Sequence, residues 1–165
     1  MSEKIRVVFL DIEGVVSDFD DERLGKHRKA TTFAETWCPT PKAVGNLLTL
    51  VNAYPNVEVV MSSTWRAHCR GPHVWECLFY AIGGYDRPIN MCWEDTTTPK
   101  LWTNRGLEIG AWLLRNQDRV ESFVILDDEA DMEPYMDRLV RTDGDVGLTE
   151  ADVVKAIEIL GTEWK

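Results

Sequence analysis

Three polar clusters, each placed directly after an apolar run, hold the residue types in this chain best suited to chemistry. Asp11 and Glu13 follow Val7–Leu10, Ser62 and Ser63 follow Val57–Met61, and Asp127 and Asp128 follow Phe123–Leu126. Carboxylates gathered in one place supply the hard oxygen ligands that small divalent cations prefer. A carboxyl can also carry protons to a leaving group or away from a water. Serine hydroxyls donate hydrogen bonds to anionic oxygens, and at the strand boundary Ser62 is the better donor than Ser63, which also suits a turn. Arg105 opens an apolar-periodic segment ahead of Asp127, and its planar fork of donors matches a phosphate. Lys100 is the rival cation.

The elements that must bring these residues together can be read from periodicity. Lys4 to Leu10, Val57 to Met61 and Ser122 to Leu126 are short, nearly continuous apolar runs, as expected of parallel strands buried on both faces. Arg138 to Arg141 is a further short strand. Between them, Pro41 to Tyr54 carries an apolar stripe of Val44, Leu47, Leu48 and Val51 behind an N-terminal proline, and Pro55-Asn56 ends it. Arg105 to Asn116 repeats the pattern with Leu107, Ile109, Trp112 and Leu113. Thr149 is a natural cap for a last helix reaching Leu160, with Asp152 three residues on. Strands alternating with helices predict an α/β fold with a parallel sheet covered on both faces. In such sheets ligands bind beyond the carboxyl ends of the strands, where all three polar clusters fall.

Two stretches do not fit the alternation. Residues 17–40 are polar, with charges from Asp18 to Lys29 and prolines at Pro39 and Pro41, and read as a surface flap. Residues 67–104 read as an insertion in which Trp75 to Ile82 has helical character, while Gly83-Gly84 and Thr96 to Pro99 are loop signals.

At 165 residues, with 44% hydrophobic and 28% charged residues, the chain suits one globular domain spanning 1–165. No apolar run approaches the roughly 20 residues of a membrane span, and the first residues lack the pattern of a signal peptide, so a cytoplasmic protein with no membrane partner is expected. Cys38, Cys69, Cys77 and Cys92 form no CxxC pair, which fits reduced thiols. His68, Cys69, His73 and Cys77 resemble a zinc cluster only superficially, because their spacing is not that of a known zinc motif. A net charge of −10 excludes a general nucleic-acid-binding surface; any nucleic acid must be held locally. Trp112 lies on an apolar helix face, leaving Trp37, Trp65 and Trp102 as the tryptophans best placed for ligand contact.

These clusters carry a resemblance. Val7-Val8-Phe9-Leu10-Asp11-Ile12-Glu13-Gly14-Val15 resembles the first motif of the haloacid dehalogenase (HAD) superfamily, usually a hydrophobic strand followed by Asp-x-Asp-Gly. Val59-Val60-Met61-Ser62 resembles the second motif, and Val124-Ile125-Leu126-Asp127-Asp128 the acidic fourth. More narrowly, Ser62-Ser63-Thr64-Trp65-Arg66, the Arg105 helix, and Val140-Arg141-Thr142-Asp143 with Gly147-Leu148-Thr149 resemble the HAD domains associated with RNA-repair proteins. The resemblance implies a Rossmann-like HAD fold with small insertions and no large cap domain. It implies an Mg2+-dependent phosphatase in which Asp11 is the nucleophile, carrying the phosphoryl group as an aspartyl-phosphate. Glu13 stands where the superfamily usually has the second Asp, its acid and base, and the enolase-phosphatase branch is similar in having Asp-x-Glu-Gly. By the same resemblance Ser62 binds phosphate and Arg105, or Lys100, supplies the third motif's cation. Asp127 orients the site, and Asp131 is a possible assistant. The metal is expected between Asp11, the backbone carbonyl of Glu13 or a nearby group, Asp128 and the substrate.

Three functions follow from this reading. The first is removal of phosphate from a nucleotide or a nucleic-acid end, as resemblance to polynucleotide 3′-phosphatases implies, with Ser63, Trp65, Arg66 and Lys100 as local substrate contacts. The second is a phosphatase for a small metabolite, which the acidic composition suits. The third is a catalytically weakened domain that only binds a phosphorylated ligand or a protein, prompted by Glu13.

Overall fold

A strand covered on both faces needs successive apolar residues, and Ile5–Leu10 supplies them as β1, whose last four residues are buried. This strand is the centre of the sheet in the computed structural model, which describes residues 4–17, 40–63, 89–91 and 104–164. In chain order the remaining elements are α1 (Pro41–Val51), β2 (Val57–Met61), β3 (Ile89–Met91), α2 (Arg105–Asn116), β4 (Val120–Asp127), a single 3-10 turn (Met136–Arg138), β5 (Leu139–Arg141) and α3 (Glu150–Leu160). The strands run in the order β3-β2-β1-β4-β5, and every pairing is parallel.

Alternation along the central strands divides the core in two. Val8, Leu10, Val124 and Leu126 pack under α1 and α3. Val7, Phe9, Phe123 and Ile125 point the other way, towards Ile109, Trp112 and Leu113 of α2. On that face Phe9 meets Trp112 and Phe123 edge-on, with ring centroids 5.3 and 5.8 Å apart, a favoured aromatic geometry. The expected α/β sheet with helices on both sides is therefore the observed architecture, and the described residues build no separate cap domain.

Several boundaries differ from the sequence reading for local reasons. Helix α1 stops at Val51, short of Tyr54, because the Asn52 backbone N–H and its side-chain amide both donate to the Leu48 carbonyl and close the last turn. Strand β4 begins at Val120, earlier than expected. Arg138 belongs to the 3-10 turn before β5, not to the strand itself. The edge strand β3 lies inside the stretch read as an insertion and pairs Ile89, Asn90 and Met91 with Val59, Val60 and Met61. Three residues are too few for a period-two pattern to show. Helix α3 follows expectation, its Thr149 hydroxyl accepting from the Asp152 N–H while the Asp152 carboxylate takes the Thr149 N–H.

The two irregular stretches fall largely outside the described residues, and with them the Trp75–Ile82 segment, the four cysteines, the His68–Cys77 cluster, Trp37, Trp65, Arg66, Lys100 and Trp102. The second stretch is attached to the sheet through β3, and the first at its end: the Thr40 N–H donates to the Val16 carbonyl at 2.9 Å, so the chain that leaves after Ser17 returns beside its own starting point. Among the described residues no helix is long and apolar enough to cross a membrane.

Candidate active site

The parallel ladder fixes where the polar clusters meet. The Asp11 N–H donates to the Leu126 carbonyl, and the Ser62 N–H to the Leu10 carbonyl, both at 2.9 Å, so pairing continues one residue past β1 and β2. Asp11, Ser62 and Asp127 thereby stand side by side on the carboxyl edge of three adjacent strands. Asp11, Ser62, Ser63 and Asp127 are all buried. Asp11, Asp127 and Asp128 each offer a carboxylate oxygen within 4.8 Å of the others.

Among the described residues, Arg105 is the cation that pairs with two of these acids, Asp11 and Asp127. Arg105 opens α2, which is capped by Asn104 accepting from the Leu107 N–H at 3.2 Å. The start of the helix is pressed against the 131–133 backbone; a Cβ on Gly106 would lie 2.2 Å from the Glu133 carbonyl oxygen, so only glycine permits the approach. The Arg105 N–H reaches Asp131 Oδ2 at 3.3 Å and the Gly106 N–H reaches the Asp131 carbonyl at 3.2 Å, which ties the helix to the loop after β4. So anchored, Arg105 sends Nη1 to Asp127 Oδ2 at 2.6 Å and to Asp11 Oδ1 at 3.1 Å.

Burial shapes the charges here. It raises the Asp127 carboxyl to about 7, with the negative charge of Asp11 adding to the shift and the Arg105 guanidinium opposing it. Burial and the charge of Asp11 also raise Asp128. Burial alone would lower Arg105, yet Asp11, Asp127 and Asp131 together hold it above its ordinary value, so it stays a cation. Three carboxylates against one guanidinium leave two surplus negative charges when all are ionised, the charge of one divalent cation. An all-oxygen donor set of this kind fits Mg2+.

The turn after β1 completes the site. Gly14 has φ +71°, and a Cβ there would lie 2.6 Å from Asp128 Cγ, so Asp128 rests its carboxylate against the glycine backbone. The Ile12 carbonyl accepts the Val16 and Ser17 N–H groups at 3.0 and 3.1 Å. Glu13 pairs in a single bridge with Ser17 and its side chain is exposed, standing outside the acidic trio. Of the expected metal ligands the structure brings the carboxylates of Asp11 and Asp128 together, with the Asp127 carboxylate beside them; for Glu13 the expected ligand atom is the backbone carbonyl, not the exposed side chain. The sequence reading gives Asp127 the role of orienting the site; that its carboxylate reaches the same point as those of Asp11 and Asp128 is not legible there, because two adjacent acids after a strand do not reveal how both can face one point.

Buried strands ending in acidic turns on one edge of a doubly wound sheet put these residues where ligands bind in such folds, an arrangement consistent with a HAD-type domain. The chain belongs to the family described as the HAD domain in Swiss Army Knife RNA repair proteins, whose model matches residues 7–153. The HAD superfamily typically uses Mg2+, and membership suggests phosphorylated substrates. No curated protein and no solved structure matches the chain.

Proposed function

We propose that the protein is an Mg2+-dependent phosphomonoesterase that works through an aspartyl-phosphate on Asp11, acting on a nucleotide or the terminal 3′-phosphate of a nucleic acid. The observation that carries this reading is the meeting of Asp11 with Asp127, Asp128 and Arg105 at the end of the central strand. Asp11, Asp127 and Asp128 would hold the metal, which when bound would offset repulsion between a carboxylate nucleophile and a phosphate dianion.

In this reading an Asp11 oxygen forms a bond to phosphorus as the bond from phosphorus to the leaving alcohol oxygen breaks. Glu13, on the exposed side of the turn, gives its proton to that oxygen. The Ser62 hydroxyl and Arg105 guanidinium bind the non-bridging phosphoryl oxygens. Glu13, now ionised, takes a proton from a water whose oxygen attacks phosphorus, which releases inorganic phosphate and restores Asp11. The RNA-repair context of the family supports the nucleic-acid end over a small metabolite. With a net charge of −10, such an end would be gripped at the site and not along a basic face.

The test is a panel of free nucleotides, sugar phosphates and oligonucleotides bearing a 3′-phosphate, each with and without Mg2+, beside Asp11→Asn. Asparagine keeps the shape of aspartate but not its nucleophilic charge, so release of phosphate should fall by at least about a thousandfold, within the range seen when a nucleophile is removed. Turnover by Asp11→Asn at the wild-type rate would overturn the mechanism, and preference for sugar phosphates would overturn the substrate.

A further inference from the structure

The carboxylate of Asp128 has no helix or strand of its own to aim it: β4 ends at Asp127, and Asp128 lies in the turn beyond. Something else must fix that turn. Three hydrogen bonds from the end of β5 do so. The Thr142 N–H donates to the Asp127 carbonyl at 3.0 Å. Arg141 Nε donates to the Asp128 carbonyl at 2.8 Å. The buried Thr142 hydroxyl donates to the Gly14 carbonyl at 2.7 Å, across 128 residues of sequence. Gly14 is the residue on whose bare Cα the Asp128 carboxylate rests.

We infer that Arg141 and Thr142 form a clamp that positions Asp128 against the Asp11 turn. Neither side chain belongs to the acidic trio, and their effect passes through the two backbones they hold. The sheet alone sets Asp11 beside Asp127, through the β1–β4 ladder. The Gly14 turn and the Asp128 turn lie beyond that ladder, and among the described residues Thr142 is the side chain that bonds one while its backbone bonds the strand end leading to the other. A threonine is suited to both tasks, since its β-branch fits a strand end and its hydroxyl donates sideways. Outer groups of this kind commonly set metal affinity or activity by about 10–100-fold.

The inference rests on the phosphatase reading, and its test separates the two. Wild type, Thr142→Val, Thr142→Ser and Arg141→Ala would be titrated with Mg2+ while backbone amide NMR spectra are recorded, then assayed with p-nitrophenyl phosphate. Valine keeps the shape but removes the hydroxyl. It should weaken Mg2+ binding about 10–100-fold, lower kcat with KM within about threefold, and shift the amide signals of residues 12–15 and 128–130 together, whereas serine should restore all three. Wild-type Mg2+ affinity in Thr142→Val, with the 128–130 signals unmoved, overturns the clamp. Should that variant not fold, Arg141→Ala decides in its place, because Arg141 is exposed; wild-type affinity there overturns the clamp equally. If wild type itself neither binds Mg2+ nor releases phosphate, the phosphatase reading falls, and the clamp is judged on whether the two sets of amide signals still move together.

Discussion

Glu13 is the residue whose chemistry departs most from its neighbours. Its carboxyl is exposed while Asp11 and Asp127, which share Arg105, are buried, and it stands apart from the acidic trio. A proton donor need not touch the metal ligands, but it must reach the departing oxygen, and the extra methylene of glutamate lengthens that reach. If Glu13 protonates the leaving group, Glu13→Gln should slow release of an alkyl or ribose alcohol far more than release of a stabilised phenolate, by about 10²–10⁴-fold for the poor leaving group. Single-turnover measurement of the first step isolates this from attack by water, which could limit both reactions. Equal slowing for both leaving groups would assign Glu13 to holding the turn instead.

At the scale of elements, two helix glycines make opposite predictions. Gly45 in α1 has open space where a Cβ would go, so Gly45→Ala should stabilise the protein by about 0.5–1 kcal/mol through helix propensity and a less free unfolded chain. Gly106 in α2 enjoys the same propensity gain from alanine, but the new Cβ would overlap the Glu133 and Met132 backbone, which cannot swing aside as a side chain can. Gly106→Ala should therefore lower stability by about 1–3 kcal/mol and, by shifting the start of the helix, move Arg105 off Asp11 and Asp127. Chemical denaturation of both variants checks the pair, and a stable, fully active Gly106→Ala would show that the approach is not tight. The sequence makes the helices themselves legible, because Ile109, Trp112 and Leu113 repeat at helical spacing, and it makes Asp11 and Asp127 legible because buried parallel strands leave an acid conspicuous at their ends. What Gly106, Gly14 and Thr142 do was not legible: each acts on a backbone far away in sequence, and nothing local distinguishes a glycine that admits a neighbour from one that faces solvent. Strand β3 was hidden for a different reason, being held by its partner β2 more than by any pattern of its own.

The whole molecule carries the charge of its site as a pH dependence. Asp127 at about 7 in the folded protein lies well above the usual unfolded aspartate near 3.9. Between those values the folded state binds more protons than the unfolded one, so stability falls as pH rises through that window, and the penalty is complete above about pH 7. Asp128, also raised, adds in the same direction. Metal-free protein should thus unfold at a lower temperature at about pH 8 than at about pH 5.5, and millimolar Mg2+ should restore most of the loss at the higher pH, because a ligand that binds only the folded state stabilises it by mass action. A midpoint that rises with pH in the absence of metal would contradict this charge balance. Finally, the hydrogen bond from Thr40 back to Val16 gives the fold a seam. Because departure and return are adjacent, a change in the length of what lies between them alters the closing entropy only slowly, by about 0.6 kcal/mol per doubling. The seam therefore works as a splice point: the connection can lengthen or shorten at little cost while the sheet keeps the acidic trio in place.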